Sequence, residues 1–167
     1  MAYRNKTFVS FASEDLTQYR MMTAWKRNEH IDFDFLDAHD LNVALDTSHP
    51  DTIRRRLRER LSNTKQVVLL VGDQTRAVAA RPSRFLHYEV EVIKKLALPV
   101  VFANLNGSRF CSTARMPALL ASQYSMSVSF QPKIIKYALD EFVPRCPGAA
   151  ETTPHFYKGH VYTRLGL

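Results

Sequence analysis

The sequence predicts an α/β protein built on a mainly parallel sheet of five strands, with helices on both faces. Short apolar segments alternate strictly with longer amphipathic segments along the chain, which is the order expected of such a sheet. One apolar segment, Gln66–Val71, is nearly continuous aliphatic, as is typical of a central parallel strand covered on both faces. The connections are long enough for right-handed crossovers, so the strands can run parallel.

Five segments have the composition of strands, because they are rich in β-branched, aromatic or aliphatic residues and are separated by polar stretches. They cover residues 7–11, 31–36, 66–71, 99–105 and 125–130. The second, IDFDFL, alternates apolar and acidic residues, which favours a position near the edge of the sheet. Helices are expected after an N-cap at Ser13, from 51 to about 62, over 83–98 and over 132–143.

The last part of the chain differs in amino-acid composition from the rest. Residues 1–143 form the predicted α/β domain, and 167 residues are enough for one domain with a substantial core. Residues 144–167 form a C-terminal extension, which starts with the linker-like stretch PRCPGAAETTP. The following HFYKGHVYTRL is compatible with a short hairpin around Lys158-Gly159.

Composition narrows the classes of function. The chain begins with MAYRNKTFVSF and has no run of about eighteen apolar residues, so we expect a cytoplasmic protein without a membrane span. Cys111 and Cys146 lie far apart and match no metal-binding spacing. The net charge is +7, but the arginines of Ile53–Leu61 lie on the outer face of an amphipathic helix. No stacking aromatic pattern accompanies them, so binding to nucleic acid is not expected.

One acidic residue occupies a place where a helix normally carries an apolar one. In the segment SRFLHYEVEVIKKLAL, Glu89 falls in the middle of the apolar side, whereas Glu91 falls on the charged side. A carboxylate removed from water costs several kcal/mol unless it is paired or neutralised. Glu89 is therefore the candidate functional residue. The alternative is a structural carboxylate that pairs with an arginine or with a helix N-terminus.

Ligands of open parallel sheets bind beyond the carboxyl ends of the strands. The segments at those ends are residues 11–14, 37–40 and 72–75. Glu89 lies on the helix after the third strand, so the predicted topology brings it near the same edge.

Two motifs resemble those of TIR domains. Phe8-Val9-Ser10-Phe11, followed by Ser13-Glu14-Asp15, is similar to the opening strand and turn of that family. Ser83-x-Phe85-Leu86-x-x-Glu89 is similar to its segment with a serine, an aromatic residue that is usually tryptophan, and a catalytic glutamate. Leu86 stands where a cysteine is common. The resemblance covers roughly residues 5–143 and points in particular to the bacterial TIR-like proteins of Thoeris antiphage defence, with a flavodoxin-like fold.

This resemblance implies an enzyme that cleaves NAD between nicotinamide and ribose and makes an ADP-ribose signalling nucleotide, which is expected to be cyclic. NAD is then a substrate, and no cofactor or metal is expected. The resemblance also implies a separate effector protein that the product activates, and a homo-oligomer. Activity is expected to depend on a trigger from infection.

The same resemblance suggests a role for each site residue. Glu89 stabilises an oxocarbenium-like transition state, Phe11 stacks on a substrate ring, and Ser13 hydrogen-bonds the substrate. Core packing and helix capping are the structural alternatives for Phe11 and Ser13. The further candidates are Phe85, Asp37 and Ser48, of which the last two are alternatively loop-stabilising residues.

Two other functions fit this fold. A TIR domain without catalysis would recruit other TIR domains, and Glu89 would then be structural. A phosphoacceptor receiver would use Glu14 and Asp15 with Asp73 and Mg²⁺, but Lys133 is displaced from the strand end by Gln131-Pro132. A nucleophile elbow and glycine-rich nucleotide motifs are missing from the sequence.

Overall fold

The fold is a six-stranded sheet in which every pair of neighbouring strands is parallel. A computed structural model describes residues 6–37, 49–145 and 154–167, with the backbone only at 36 and 37. The strand order is β2-β1-β3-β4-β5-β6. The strands are β1 (Lys6–Ser10), β2 (Leu36–Asp37), β3 (Gln66–Val71), β4 (Val100–Asn104), β5 (Ser125–Ser129) and β6 (Pro154–Phe156).

Helices follow the strands in the alternation that the sequence predicts. They are α1 (Leu16–Arg27), α2 (Pro50–Leu61), α3 (Thr75–Ala79), α4 (Phe85–Lys95), α5 (Pro132–Glu141) and α6 (Gly159–Arg164). Pro132 occupies the first turn of α5, where its missing N–H is tolerated. The predicted α/β class and the parallel sheet with helices are confirmed. Along the described residues, no helix has the length and apolarity needed to cross a bilayer.

The core lies on both faces of the sheet, as the aliphatic sequence of β3 requires. Val68 and Leu70 belong to a cluster that also contains residues of α1, α5 and α6. Val67 and Leu69 belong to a second cluster, with residues of α2, α3 and α4. Successive side chains of a strand point to opposite faces, so a strand covered on both sides needs apolar residues throughout.

Two expectations about individual elements differ from the structure. The second strand is an edge strand as predicted, but it spans only two residues. Residues 31–35 do not pair with β1, and Phe33 and Phe35 instead bury their rings in the core. The polar segment 72–82, which carries no predicted helix, contains α3.

The expected C-terminal hairpin is wrong. Residues 154–156 form β6, which pairs in parallel with β5, and α6 follows directly. Tyr162 of α6 is fully buried, and its hydroxyl accepts a hydrogen bond from Ser129 N at 3.1 Å. The apolar positions of the extension therefore complete one face of the domain core.

Candidate functional site

A cleft opens beside the carboxyl end of β1. Its volume is about 550 Å³, within the range that accommodates small-molecule ligands. The turn after β1, the first turns of α1 and the start of α4 form its walls. The lining residues are Phe11, Ser13, Leu16, Arg20, Val78, Ser83, Arg84, Phe85, Leu86 and Glu89.

Glu89 is the buried carboxylate of this cleft. Glu89 is 6% exposed. Ser10 Oγ, at the end of β1, donates a hydrogen bond of 2.7 Å to Glu89 Oε2. Burial raises the pKa of Glu89 to about 7, although the Ser10 hydrogen bond and the charge of Arg60 both lower it. The positive charge of Arg60 therefore acts on this carboxylate, and the hydrogen bond that holds Oε2 comes from Ser10.

The chemical capacity of Glu89 follows from that environment. Near neutral pH, both its protonated and its ionised forms are populated because its pKa is about 7. The ionised form, held in a poorly solvated site, can stabilise a developing positive charge more strongly than a carboxylate in water.

Glu91 differs from Glu89 in the way that the helix pattern predicts. Arg54 Nε of α2 donates to Glu91 Oε2 at 2.8 Å, and His87 Nε2 lies 3.2 Å from Glu91 Oε1. The hydrogen bond from Arg54 is the main reason why the pKa of Glu91 is lowered. Glu91 thus joins α4 to α2 on the outside of the domain, and it does not line the cleft.

Ser13 does not cap a helix, contrary to the capping alternative. Residues 13–15 form a single 3-10 turn whose N-cap is Ala12, and no side chain caps this turn or α1. Ser13 Oγ instead accepts a hydrogen bond from Arg84 Nη2 at 2.6 Å. The same nitrogen donates to both carboxylate oxygens of Glu14, at 3.0 and 2.8 Å. Arg84 therefore connects the start of α4 to the turn after β1.

The two aromatic candidates also line the cleft. Phe11 is 8% exposed and stacks on Tyr19, with ring centroids 4.7 Å apart. It is therefore part of the core and at the same time part of the cleft wall. Phe85 is half-buried at the first position of α4.

The remaining predicted contacts lie outside the described side chains. Asp37 is described only through its backbone, which pairs with Thr7 at the end of β2. Ser48 is outside the described residues altogether. Both stay predictions.

The residues that a phosphoacceptor receiver would use contact other partners in this structure. Asp73 pairs with Arg115 at 2.9 Å, and Lys133 Nζ donates to the carbonyl of Leu165 in the C-terminal segment. Burial, followed by the charges of Glu14 and Asp73, raises the pKa of Asp15. In the described part of the chain, no group of three or more metal-ligating side chains could hold a cation.

Sequence reasoning missed two polar residues of the site as functional groups. Ser10 entered only as a letter of a strand motif, although a serine at the buried end of a strand requires a hydrogen-bond partner. Arg84, which stands one position before α4, was not among the predicted site residues. Arg84 and Ser13 are 71 positions apart in the sequence, and no local sequence pattern predicts a contact over that distance.

Comparison with known protein families identifies the family of this domain. The model of the family described as Thoeris protein ThsB, TIR-like domain, matches residues 8–109. These residues make up more than half of the 167-residue chain. They include the last three residues of β1, both TIR-like motifs and the complete helix α4.

Proposed function

The chain belongs to the TIR-like domain family of the Thoeris antiphage-defence protein ThsB, and from this premise we propose that it is an enzyme that cleaves NAD. The bond that breaks joins the nicotinamide nitrogen to C1′ of the ribose. The electron pair of that bond leaves with nicotinamide, and the ribosyl group develops the positive charge of an oxocarbenium ion.

The observation that supports this proposal is the burial of the Glu89 carboxylate in the wall of the cleft. Only interactions that are stronger in the transition state accelerate a reaction. A buried carboxylate meets this condition, because its attraction to the ribose grows as the ribose becomes positive. Ser10 would hold the carboxylate in place, and Glu89 would bind the ribose hydroxyls as well.

The other cleft residues would bind the two ends of the substrate. Phe11 and Phe85 offer ring faces for stacking on nicotinamide or adenine, and Ser13 offers a hydroxyl. Asp37, the last residue of β2, and Ser48 would also contact the substrate.

The product would be an ADP-ribose nucleotide that acts as a signal. The cation formed at C1′ is captured by water, to give ADP-ribose, or by a nucleophile of the same molecule, to give a cyclic product. A separate effector protein would recognise this nucleotide. We propose that the reaction takes place in the cytoplasm, after a trigger from infection, and in an assembly of several copies of this chain.

The test compares two isosteric substitutions on one helix. Glu89→Gln removes the buried negative charge, and Glu91→Gln removes a charge of the same kind two positions away, outside the cleft. Nucleotides are extracted from infected cells and measured by chromatography and mass spectrometry. We expect product formation to fall by about 100-fold or more in Glu89→Gln and to stay near the wild-type level in Glu91→Gln.

Equal product levels in the wild type and in folded Glu89→Gln, with more than one phage, would contradict the proposal. The noncatalytic role as a scaffold for TIR assembly would then be the better explanation. In that case the recruitment of partner TIR domains, measured in the same cells, would respond to substitutions on the surface of the domain.

A further inference from the structure

Arg84 is one of two arginines of the cleft to which the proposed reaction assigns no role. Its side chain is 26% exposed, and it lines the same cleft as Glu89. It stands immediately before α4, so the segment that carries the buried carboxylate also carries this guanidinium.

The hydrogen bonds of Arg84 use only part of its donors. A guanidinium has five N–H groups. Among the described residues, its side chain bonds to Ser13 and Glu14 alone, and each of those bonds starts from Nη2. The donors on Nε and Nη1 have no recorded acceptor in that part of the chain, so they can bind an anion.

Glu14 gives Arg84 a carboxylate partner at the surface. Its side chain is 42% exposed, and the hydrogen bond from Arg84 is the main reason why its pKa is lowered. A surface ion pair of this kind adds little to stability. It does, however, offset the positive charge that an anionic ligand would meet.

We propose that Arg84 is the anion-binding residue of the cleft, that it recognises the diphosphate of an adenosine diphosphate compound, and that Glu14 competes with this ligand for the guanidinium. The inference rests on the proposed function for the identity of the substrate. Arginine suits the role because its planar fork of donors matches phosphate oxygens. Arg20 lines the same cleft and adds a second positive charge.

The direction of two effects separates this role from a structural one. If Arg84 only fixes the turn after β1, removing either partner of the ion pair weakens ligand binding. If Glu14 competes with the ligand, Arg84→Gln weakens binding and Glu14→Gln strengthens it.

The experiment measures the binding of ADP-ribose to the purified chain by titration calorimetry. We expect Arg84→Gln to raise Kd by about tenfold or more and Glu14→Gln to lower it severalfold. Arg84→Lys keeps the charge without the fork, so its Kd should lie between those of the wild type and Arg84→Gln. Added salt should weaken binding by the wild type more than by Arg84→Gln.

Matched controls remove the same charges elsewhere. Arg81→Gln changes an exposed arginine three positions before Arg84, and Glu59→Gln changes an exposed glutamate on α2. Neither residue lines the cleft, so both variants should bind ADP-ribose like the wild type. Circular dichroism checks that each variant is folded.

Three results would overturn the inference. They are no measurable binding of ADP-ribose to the wild type, the same Kd for Arg84→Gln and Arg81→Gln, and weaker binding by Glu14→Gln. The binding assay needs no turnover, so it separates this inference from the proposed function. If Arg84→Gln does not change Kd, the proposal that Glu89 cleaves NAD is unaffected. If no NAD cleavage is found, the Kd values still decide whether Arg84 binds the diphosphate.

Discussion

Glu89 and Glu91 have the same side chain and lie on the same helix, yet their environments shift their pKa values in opposite directions. Burial raises the pKa of Glu89 to about 7. The hydrogen bond from Arg54 lowers the pKa of Glu91. Two positions along a helix correspond to a rotation of about 200°, which turns one carboxylate inward and the other outward. The chemistry of each residue follows from that rotation.

The raised pKa of Glu89 predicts a pH dependence of stability. The folded protein binds the Glu89 proton more tightly than the unfolded chain, whose value is 4.5. The stabilisation from this proton is complete below pH 4.5 and is lost as the pH rises to about 7. Over that interval, the free energy of unfolding of the wild type should fall by about 3 kcal/mol at most, relative to Glu89→Gln.

Urea unfolding of both proteins between pH 4 and 8 measures this difference. Other acids contribute equally to the two proteins, so the difference isolates Glu89. A difference that does not change with pH would mean that Glu89 is not buried as described.

Ser10 is predicted to set the ionisation of Glu89. Its hydrogen bond lowers the pKa of Glu89, so Ser10→Ala should raise that pKa further. We expect the acidic limb of the profile of kcat/KM for NAD to move to higher pH, with a loss of up to about tenfold near neutral pH. Ser127→Ala makes the same change at another buried strand position and should leave the profile in place. A shift of equal size in both variants would contradict the prediction.

At the scale of elements, the C-terminal segment stabilises the domain although only three of its residues pair in the sheet. β6 extends the sheet beyond β5, and α6 contributes Val161 and Tyr162 to a core cluster. Tyr162 is among the largest fully buried side chains among the described residues. Residues 154–167 therefore behave as part of the domain.

Substitutions at Tyr162 test this conclusion. Tyr162→Ala should lower the free energy of unfolding by about 3–5 kcal/mol, because it leaves a large cavity. Tyr162→Phe should cost about 1–3 kcal/mol, because the amide of Ser129 loses its buried acceptor. Phe156→Ala, at an aromatic residue that is 48% exposed in the same segment, serves as the control for urea unfolding. Similar losses in the Tyr162→Ala and Phe156→Ala variants would show that α6 is not anchored in the core.

At the scale of the whole molecule, the site lies at the surface of one domain, and assembly is a proposal that the family suggests. If copies of the chain complete one another's clefts, the rate per protomer must depend on protein concentration. We expect specific activity toward NAD to rise with concentration in the range where mass photometry records oligomers. A constant specific activity, with oligomers present and absent, would show that one chain forms the complete site.

The fold class and the main catalytic candidate could be read from local patterns. β3 was predicted with its observed ends, because a strand covered on both faces is apolar at every position. Glu89 stood out because it interrupts the apolar side of α4. The predicted second strand, 31–36, was too long. Phe33 and Phe35 are buried without belonging to a strand, and buried residues at alternate positions give the same sequence pattern as a strand.

The sequence by itself determined the alternation of the first five strands with helices and the inward position of Glu89, since both depend on the residue pattern within single segments. Only the tertiary structure decided which groups meet in the cleft. Ser10 and Glu89 are 79 positions apart, and Arg84 and Glu14 are 70 apart. The tertiary structure also decided that residues 154–156 pair with β5 as a sixth strand. Contacts of this range arise from the packing of elements around the sheet, and packing leaves no periodic signal in the sequence.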